Sequence, residues 1–133
     1  MKAAVVDASV AVKWVVAEDL AENAGLLRSV GQLNAPAHWL AEAANALWAK
    51  AWRGELTAFE AEQRVGLLTQ APIVVTPLAS LAEEAIRLSN ALGLTVYDTL
   101  YLALALERVI SLVTADRRLF ERTRAQPEFA ARV

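Results

Sequence analysis

The chain has 133 residues, no cysteine, one histidine and a formal net charge of −2. That length predicts a single domain, residues 1–133, with enough chain to bury a core unaided. The missing cysteines exclude disulfides and thiolate metal sites, and the near-neutral charge excludes nucleic-acid binding by bulk charge alone, leaving room for a local basic patch.

The first element is Ala3-Ala4-Val5-Val6, a short apolar run that reads as a buried strand and ends directly in Asp7-Ala8-Ser9. Ser9 to Val16 reads as a short helix. Asp19 is placed to cap a second helix, roughly Leu20 to Val30, which Gly31 ends. Leu33 to Ala35 is a weak strand candidate. Pro36 is expected to open a long helix, about Ala37 to Arg53, stopped by Gly54. Thr57-Ala58-Phe59-Glu60 has capping-box spacing and predicts a helix through about Leu68. Pro72-Ile73-Val74-Val75 reads as a strand. Thr76-Pro77 is expected to start a helix that runs to Leu92 and ends at Gly93. Thr95 to Arg108 predicts a very apolar, central helix. Val109 to Val113 reads as a strand, and Asp116 is placed to cap a last helix, Arg117 to about Arg124. Pro127 then breaks the pattern.

Short apolar strands alternating with helices predict an α/β fold with a parallel sheet and helices on both faces. No stretch approaches eighteen uninterrupted apolar residues, so no membrane span is expected. The opening apolar run is too short for a signal peptide, and a cytoplasmic location is the expectation.

Of fifteen acidic residues, eleven are easily assigned as surface, cap or pairing residues and four are less easily dismissed. Asp7 ends the first strand. Asp116 stands just beyond the strand Val109–Val113, and parallel strands point their carboxyl ends to one edge, where α/β sheets bind ligands. Glu42 lies in a helix with His38, Asn45, Ala46 and Ala49 on its face. Asp98 lies in the first turn of an otherwise apolar helix. Each has a plain structural explanation: Asp7 and Asp116 as N-caps, Asp98 as the acid of a capping box begun by Thr95, Glu42 as one side of an ion pair. Taken together, those explanations leave four carboxylates on one rim by coincidence. Carboxylates that converge need a counter-charge. An oxygen-only donor set without cysteine favours Mg²⁺ or Mn²⁺, suited to orienting a phosphodiester.

Val5-Val6-Asp7-Ala8-Ser9, Leu40-Ala41-Glu42-Ala43-Ala44-Asn45, Leu94 to Ala103 around Tyr97-Asp98-Thr99, and Leu112-Val113-Thr114-Ala115-Asp116 together resemble the PIN-domain nucleases. The resemblance is strongest to the VapC-type toxins of type II toxin–antitoxin pairs. It implies a three-layer α/β/α fold around a short parallel sheet, and Mg²⁺- or Mn²⁺-dependent endoribonuclease activity. It implies catalytic and metal-binding roles for Asp7, Glu42, Asp98 and Asp116. Ser9 and Thr114 match the family's supporting hydroxyls, and Asn45 stands as a further supporter beside Glu42. The resemblance also implies a homodimer and a small VapB-type antitoxin as partners. Arg117 and Arg118 follow Asp116, with Arg122 and Arg124 beyond them. Lys13 follows Asp7, and Lys50 closes the Glu42 helix. Arg117, Arg118, Lys13 and Lys50 are candidate RNA contacts.

Trp48 and Trp52, one turn apart, belong either to the core or to an interface. Rival readings are a phosphatase or receiver-type domain, a PIN nuclease acting on DNA or in RNA processing, and a non-catalytic module on the same fold. The phosphatase reading wants an aspartate where Ser9 stands.

Overall fold

The structure, a computed structural model, describes residues 3–16 and 31–124. The expected helix Leu20–Val30 and the tail around Pro127 lie outside the described residues. The elements in chain order are β1 (Ala3–Val6), α1 (Ala8–Val15), β2 (Gln32–Pro36), α2 (Trp39–Trp52), α3 (Ala58–Leu68) and β3 (Ile73–Thr76). A 3₁₀ turn (Leu78–Ser80), α4 (Ala82–Leu92), α5 (Val96–Arg108), β4 (Ser111–Val113) and α6 (Arg117–Arg124) follow.

The four strands form one parallel sheet in the order β3-β2-β1-β4. The chain moves outward from β1 through β2 to β3, then returns to place β4 on the other side of β1. The order therefore reverses between β1 and β4. In open parallel sheets the crevice beyond the carboxyl ends at such a reversal is the ligand site.

α5 lies against β1, β2 and β4, and α4 packs along it. Thr99 to Ala105 are buried without a break. That is why its sequence reads apolar all round rather than amphipathic. Burying Leu100, Leu102 and Leu104 stabilises the fold by about 1.5–3 kcal/mol each. α1 packs on α2 and α3, completing a three-layer α/β/α arrangement. Strand alternation divides the interior. Val5 and Leu112 join the main core with Trp39, Ala43 and Leu47 of α2. Val6, Val10 and Leu33 make a smaller cluster with Val113 and Ala115.

Three expectations about boundaries are corrected. Pro36 does not open a helix; it closes β2, opposite Thr76. Proline lacks the N–H that a ladder uses, and at the strand's end the next amide, Ala37, donates to the Thr76 carbonyl at 2.9 Å instead. Thr76 likewise ends β3 rather than capping a helix. After an extended Pro77, a 3₁₀ turn closed by Leu81 N–H to the Leu78 carbonyl (2.9 Å) delays α4 to Ala82. Val109 is not in β4: it ends α5 in the left-handed region, at φ 55°.

The caps behave as expected elsewhere. Thr57 and Glu60 form a reciprocal capping box. Gly93 ends α4 at φ 69°, where a Cβ would meet the Arg122 guanidinium at 3.0 Å. Val109 has no such fit. A β-branched residue in the left-handed region carries about 1–2 kcal/mol of strain, and its exposed side chain recovers little by packing. Val109→Gly is expected to stabilise the protein by about 0.5–1 kcal/mol, after the extra freedom glycine gives the unfolded chain. Chemical denaturation measures this, and a lower midpoint for the variant would refute the strain.

Candidate active site

Asp7 stands where β1 turns into α1. Its backbone is extended, and its Oδ1 accepts from the Val10 amide at 3.2 Å, so it is the N-cap of α1. It is also the most buried acid of the rim, 5% exposed. Ser9 Oγ donates to Oδ1 at 2.5 Å, and Thr114 Oγ1 donates to Oδ2. The capping and rim readings of Asp7 are thus the same geometry. The two hydroxyls also brace the loop after β4: Ala115 N–H donates to Ser9 Oγ at 3.0 Å and Asp116 N–H to Thr114 Oγ1 at 2.9 Å.

Burial pushes the Asp7 carboxyl up to about 6. The bonds from Ser9, Thr114 and Val10 oppose that rise, and the nearby charge of Asp116 adds to it. A carboxylate with this many donors is normally held low. Desolvation outweighs them here.

α2 leaves β2 at the sheet's carboxyl edge, and α5 ends just before β4 enters at the opposite edge, so the first turns of both helices lie towards the carboxyl edge. Glu42 is in the first turn of α2 and Asp98 in the first turn of α5, a placement that the helix dipole favours for carboxylates. Asp98 N–H donates to Thr95 Oγ1 at 3.4 Å, while its carboxylate accepts from Arg118 of α6 at 3.2 Å. Burial, then the charge of Asp116, raises the Asp98 carboxyl above its ordinary value, and Arg118 counteracts this. Asp116 Oδ1 caps α6 through the amides of Arg118 (2.9 Å) and Leu119 (3.2 Å).

Asp7, Glu42, Asp98 and Asp116 line one cavity of about 200 Å³, with Ala8, Ser9, Ala46 and Tyr101. The cavity lies at the reversal of strand order. Among the described residues no three Asp, Glu or His side chains are gathered into a ready-made metal cage. Each carboxylate is instead held by its own donors. The donor chemistry fits a hard divalent cation, since these are oxygen ligands with no thiolate and excess negative charge.

Tyr101 was hidden in the apolar pattern of α5. Its hydroxyl donates to Glu42 Oε1 at 2.6 Å, and the Ala8 amide in turn bonds the hydroxyl. Burial, and then the bond to Glu42, push the phenol far above its ordinary range, so it stays a donor. His38 approaches the same Glu42 oxygen at 3.5 Å and packs on the Tyr101 ring. Tyr101→Phe leaves the ring in place but removes the donor that aims Glu42. We expect catalytic activity to fall about tenfold and stability by about 1.5–3 kcal/mol, as for a lost bond to a charged acceptor. Parallel rate and denaturation measurements check this, and unchanged activity would free Glu42 from Tyr101.

The basic candidates divide. Arg117 and Arg118 are exposed at the start of α6, beside the cavity. Lys13 and Lys50 lie in the last turns of α1 and α2, the helix ends away from Asp7 and Glu42. Arg122 is structural: it donates to the carbonyl of Leu92 at 3.0 Å and ties α6 to the end of α4. Arg124 lies over the Phe120 ring. Asn45 is exposed one turn beyond Glu42. Trp48 and Trp52 are not core residues; they stack on each other at 5.9 Å and are 57% and 78% exposed.

The crystal structure of PAE2754 from Pyrobaculum aerophilum is similar to this chain, with a TM-score of 0.69, 27% sequence identity, and coverage of 90% of this chain and 83% of that one. The crystal structure of Mycobacterium tuberculosis VapC20, a toxin that cleaves the sarcin–ricin loop, superposes with a TM-score of 0.67 over 87% of this chain and 92% of its own. At 15% identity that second likeness speaks for the fold alone. No curated protein matches the sequence. The profile of the PIN domain matches residues 4–126, a span that holds all four acids of the cavity, and the chain belongs to the PIN-domain family.

Proposed function

We propose that this protein is a divalent-cation-dependent endoribonuclease and the toxin of a toxin–antitoxin pair. The observation that carries the reading is the convergence of Asp7, Glu42, Asp98 and Asp116 on one cavity of a PIN domain. Asp7 is held by Ser9 and Thr114, and Glu42 by Tyr101, so two carboxylates are aimed before any ligand arrives. Mg²⁺ or Mn²⁺ held by these four acids would supply the Lewis acidity for hydrolysing a phosphodiester. Arg117 and Arg118, on the α6 side, are placed to meet backbone phosphates.

The toxin label, the homodimer and the VapB-type antitoxin rest on the VapC-like motifs. The exposed Trp48–Trp52 stack supports a protein interface of some kind, because large exposed aromatic patches mark interaction sites. A cytoplasmic location belongs to the same reading. Among the described residues no helix is long and apolar enough to cross a membrane.

The test is purified protein with single-stranded RNA, duplex RNA and DNA, each with Mg²⁺, Mn²⁺ or chelator. Internal cleavage of RNA, absent in Asp98→Asn, is the expected result. Cleavage of DNA alone would move the protein to the DNA-directed reading, and no cleavage of either would leave a binding module. Expression in bacteria should slow growth; unaffected growth with active enzyme would remove the toxin label.

A further inference from the structure

A second pocket opens beside the acid cavity. It has a volume of about 370 Å³ and is lined by His38, Ala41, Glu42, Asn45, Ala46 and Tyr97. Glu42 and Ala46 line both spaces. The two are therefore neighbours across one helical face, and whatever occupies the second pocket lies next to the candidate reacting centre.

Its chemistry differs from that of the acid cavity. Apart from Glu42 at the shared border, its lining has no carboxylate, and it has no lysine or arginine, so nothing in it is suited to a phosphate. Ala41 and Ala46 stand where larger side chains would fill the space. Tyr97 is 64% exposed, with its ring beside the pocket. It is nonetheless anchored: the Tyr97 carbonyl accepts from His38 Nε2 at 2.8 Å. The His38 side chain is itself only 9% exposed and packs on Tyr101 at 4.7 Å and Tyr97 at 6.3 Å between ring centres. That bond places the proton on Nε2. Asn45 adds an exposed amide, with two N–H donors and a carbonyl acceptor on a single planar group.

We propose that this pocket receives an unpaired nucleobase of the RNA, adjacent to the phosphate presented to the four acids, and that Tyr97 and Asn45 select it. This rests on the ribonuclease reading. A π-face, small apolar walls and one amide are the parts by which single-stranded bases are held: stacking supplies affinity, and an amide reads the base edge. The volume lies in the range of small-ligand pockets. A base within a duplex is stacked and paired, so the pocket confines cleavage to loops and single strands.

The experiment uses a pool of single-stranded RNA randomised around a central segment, with cut sites read by sequencing. It compares the parent with Asn45→Ala, Tyr97→Ala and Tyr97→Phe, each first shown to melt cooperatively. The parent should prefer one base, or one pair of bases, at a position flanking the cut. Asn45→Ala should flatten that preference. Tyr97→Ala should weaken kcat/KM about 5- to 150-fold through KM, the range for one lost base stack, and Tyr97→Phe should restore it. A stacking probe separates this from a purely structural role: 2-aminopurine in a single-stranded RNA bound to the Asp7→Asn protein should be quenched with Tyr97 or Phe at position 97 and not with Ala. If the parent cuts RNA while both alanine variants keep its preference and KM, the pocket does not hold a base. If Tyr97→Ala leaves cleavage unchanged and instead alters oligomeric mass, the pocket receives protein and the proposal is overturned. If the parent cuts no RNA, the ribonuclease reading fails and takes this proposal with it.

Discussion

Asp7→Asn is expected to reduce phosphodiester cleavage sharply while making the cation-free protein more stable at pH 7. The two effects share one cause. Asp7 is 5% exposed and its carboxyl is pushed from 3.8 to about 6. Its charge is therefore costly to the fold, and a costly buried charge marks a candidate functional group. For an acid whose folded value is raised, the stabilising contribution of the protonated form is complete below the unfolded value. It is lost as pH rises through the folded one. The window is thus pH 3.8 to about 6. Ionising Asp7 above that window costs the fold about 3 kcal/mol. The amide carries no charge and keeps the geometry: its oxygen accepts from Ser9 and Val10, and its NH₂ faces Thr114 Oγ1, which already accepts from Asp116 N–H. Asp7→Asn should match the parent near pH 4 and melt on the order of 10 °C higher at pH 7. Hydrolysis should fall on the order of 10²–10³-fold or more, the loss seen when a group that meets developing charge is removed. Rates with Mg²⁺ and melting curves from pH 4 to 8 test both parts. A variant that cuts at the parental rate removes Asp7 from the reaction. One that melts lower at pH 7 shows that burial does not dominate its titration.

Asp7, Asp98 and Asp116 were legible in the sequence because strands and caps leave local marks. An apolar run ending in Asp, a Thr three residues before Asp98, and an Asp before Arg-Arg-Leu-Phe each carry a short-range signal. In this fold the cap is also the rim, since helix starts and strand ends meet at the sheet's carboxyl edge. The choice between cap and site for Asp7 and Asp116 was therefore no choice at all. Two of the three misplaced boundaries come from proline. Pro36 and Pro77 both look like helix starts, but the ladder between Pro36 and Thr76 claims both segments first, and tertiary pairing outweighs local preference. His38 could be read as a same-face neighbour of Glu42, but Tyr101 could not be read from pattern. Tyr101 is one more large residue in an apolar helix, and only the fold brings its hydroxyl to Glu42, 59 positions away. Arg122 stands in the same run of arginines as Arg117 and Arg118, yet its partner is the open end of another helix, which the run itself does not show.

Chelation is expected to silence the enzyme, and restoring Mn²⁺ or Mg²⁺ to rescue both activity and stability in a pH-dependent way. Four carboxylates around about 200 Å³ repel one another. Two of them, Asp7 and Asp98, are already raised by burial and by Asp116. A cation reverses that balance by favouring every ionised form, and it must displace the protons that burial has retained. Affinity should then fall about tenfold per pH unit below about 6 for the proton on Asp7, and more steeply if Asp98 is also protonated. At about 100 times Kd the added stability is about 2.7 kcal/mol. The melting temperature with Mn²⁺ should accordingly rise clearly at pH 8 and little at pH 5, whereas in Asp7→Asn the increase should be small at both. Cleavage should follow the same profile, rising with pH through about 6. Calorimetry of cation binding at the two pH values, with proton release measured by changing the buffer, separates site binding from general screening. A pH-independent Mn²⁺ effect, or an equal one in Asp7→Asn, would place the cation somewhere other than at these four acids. Rapid cleavage in chelator would remove the cation requirement itself.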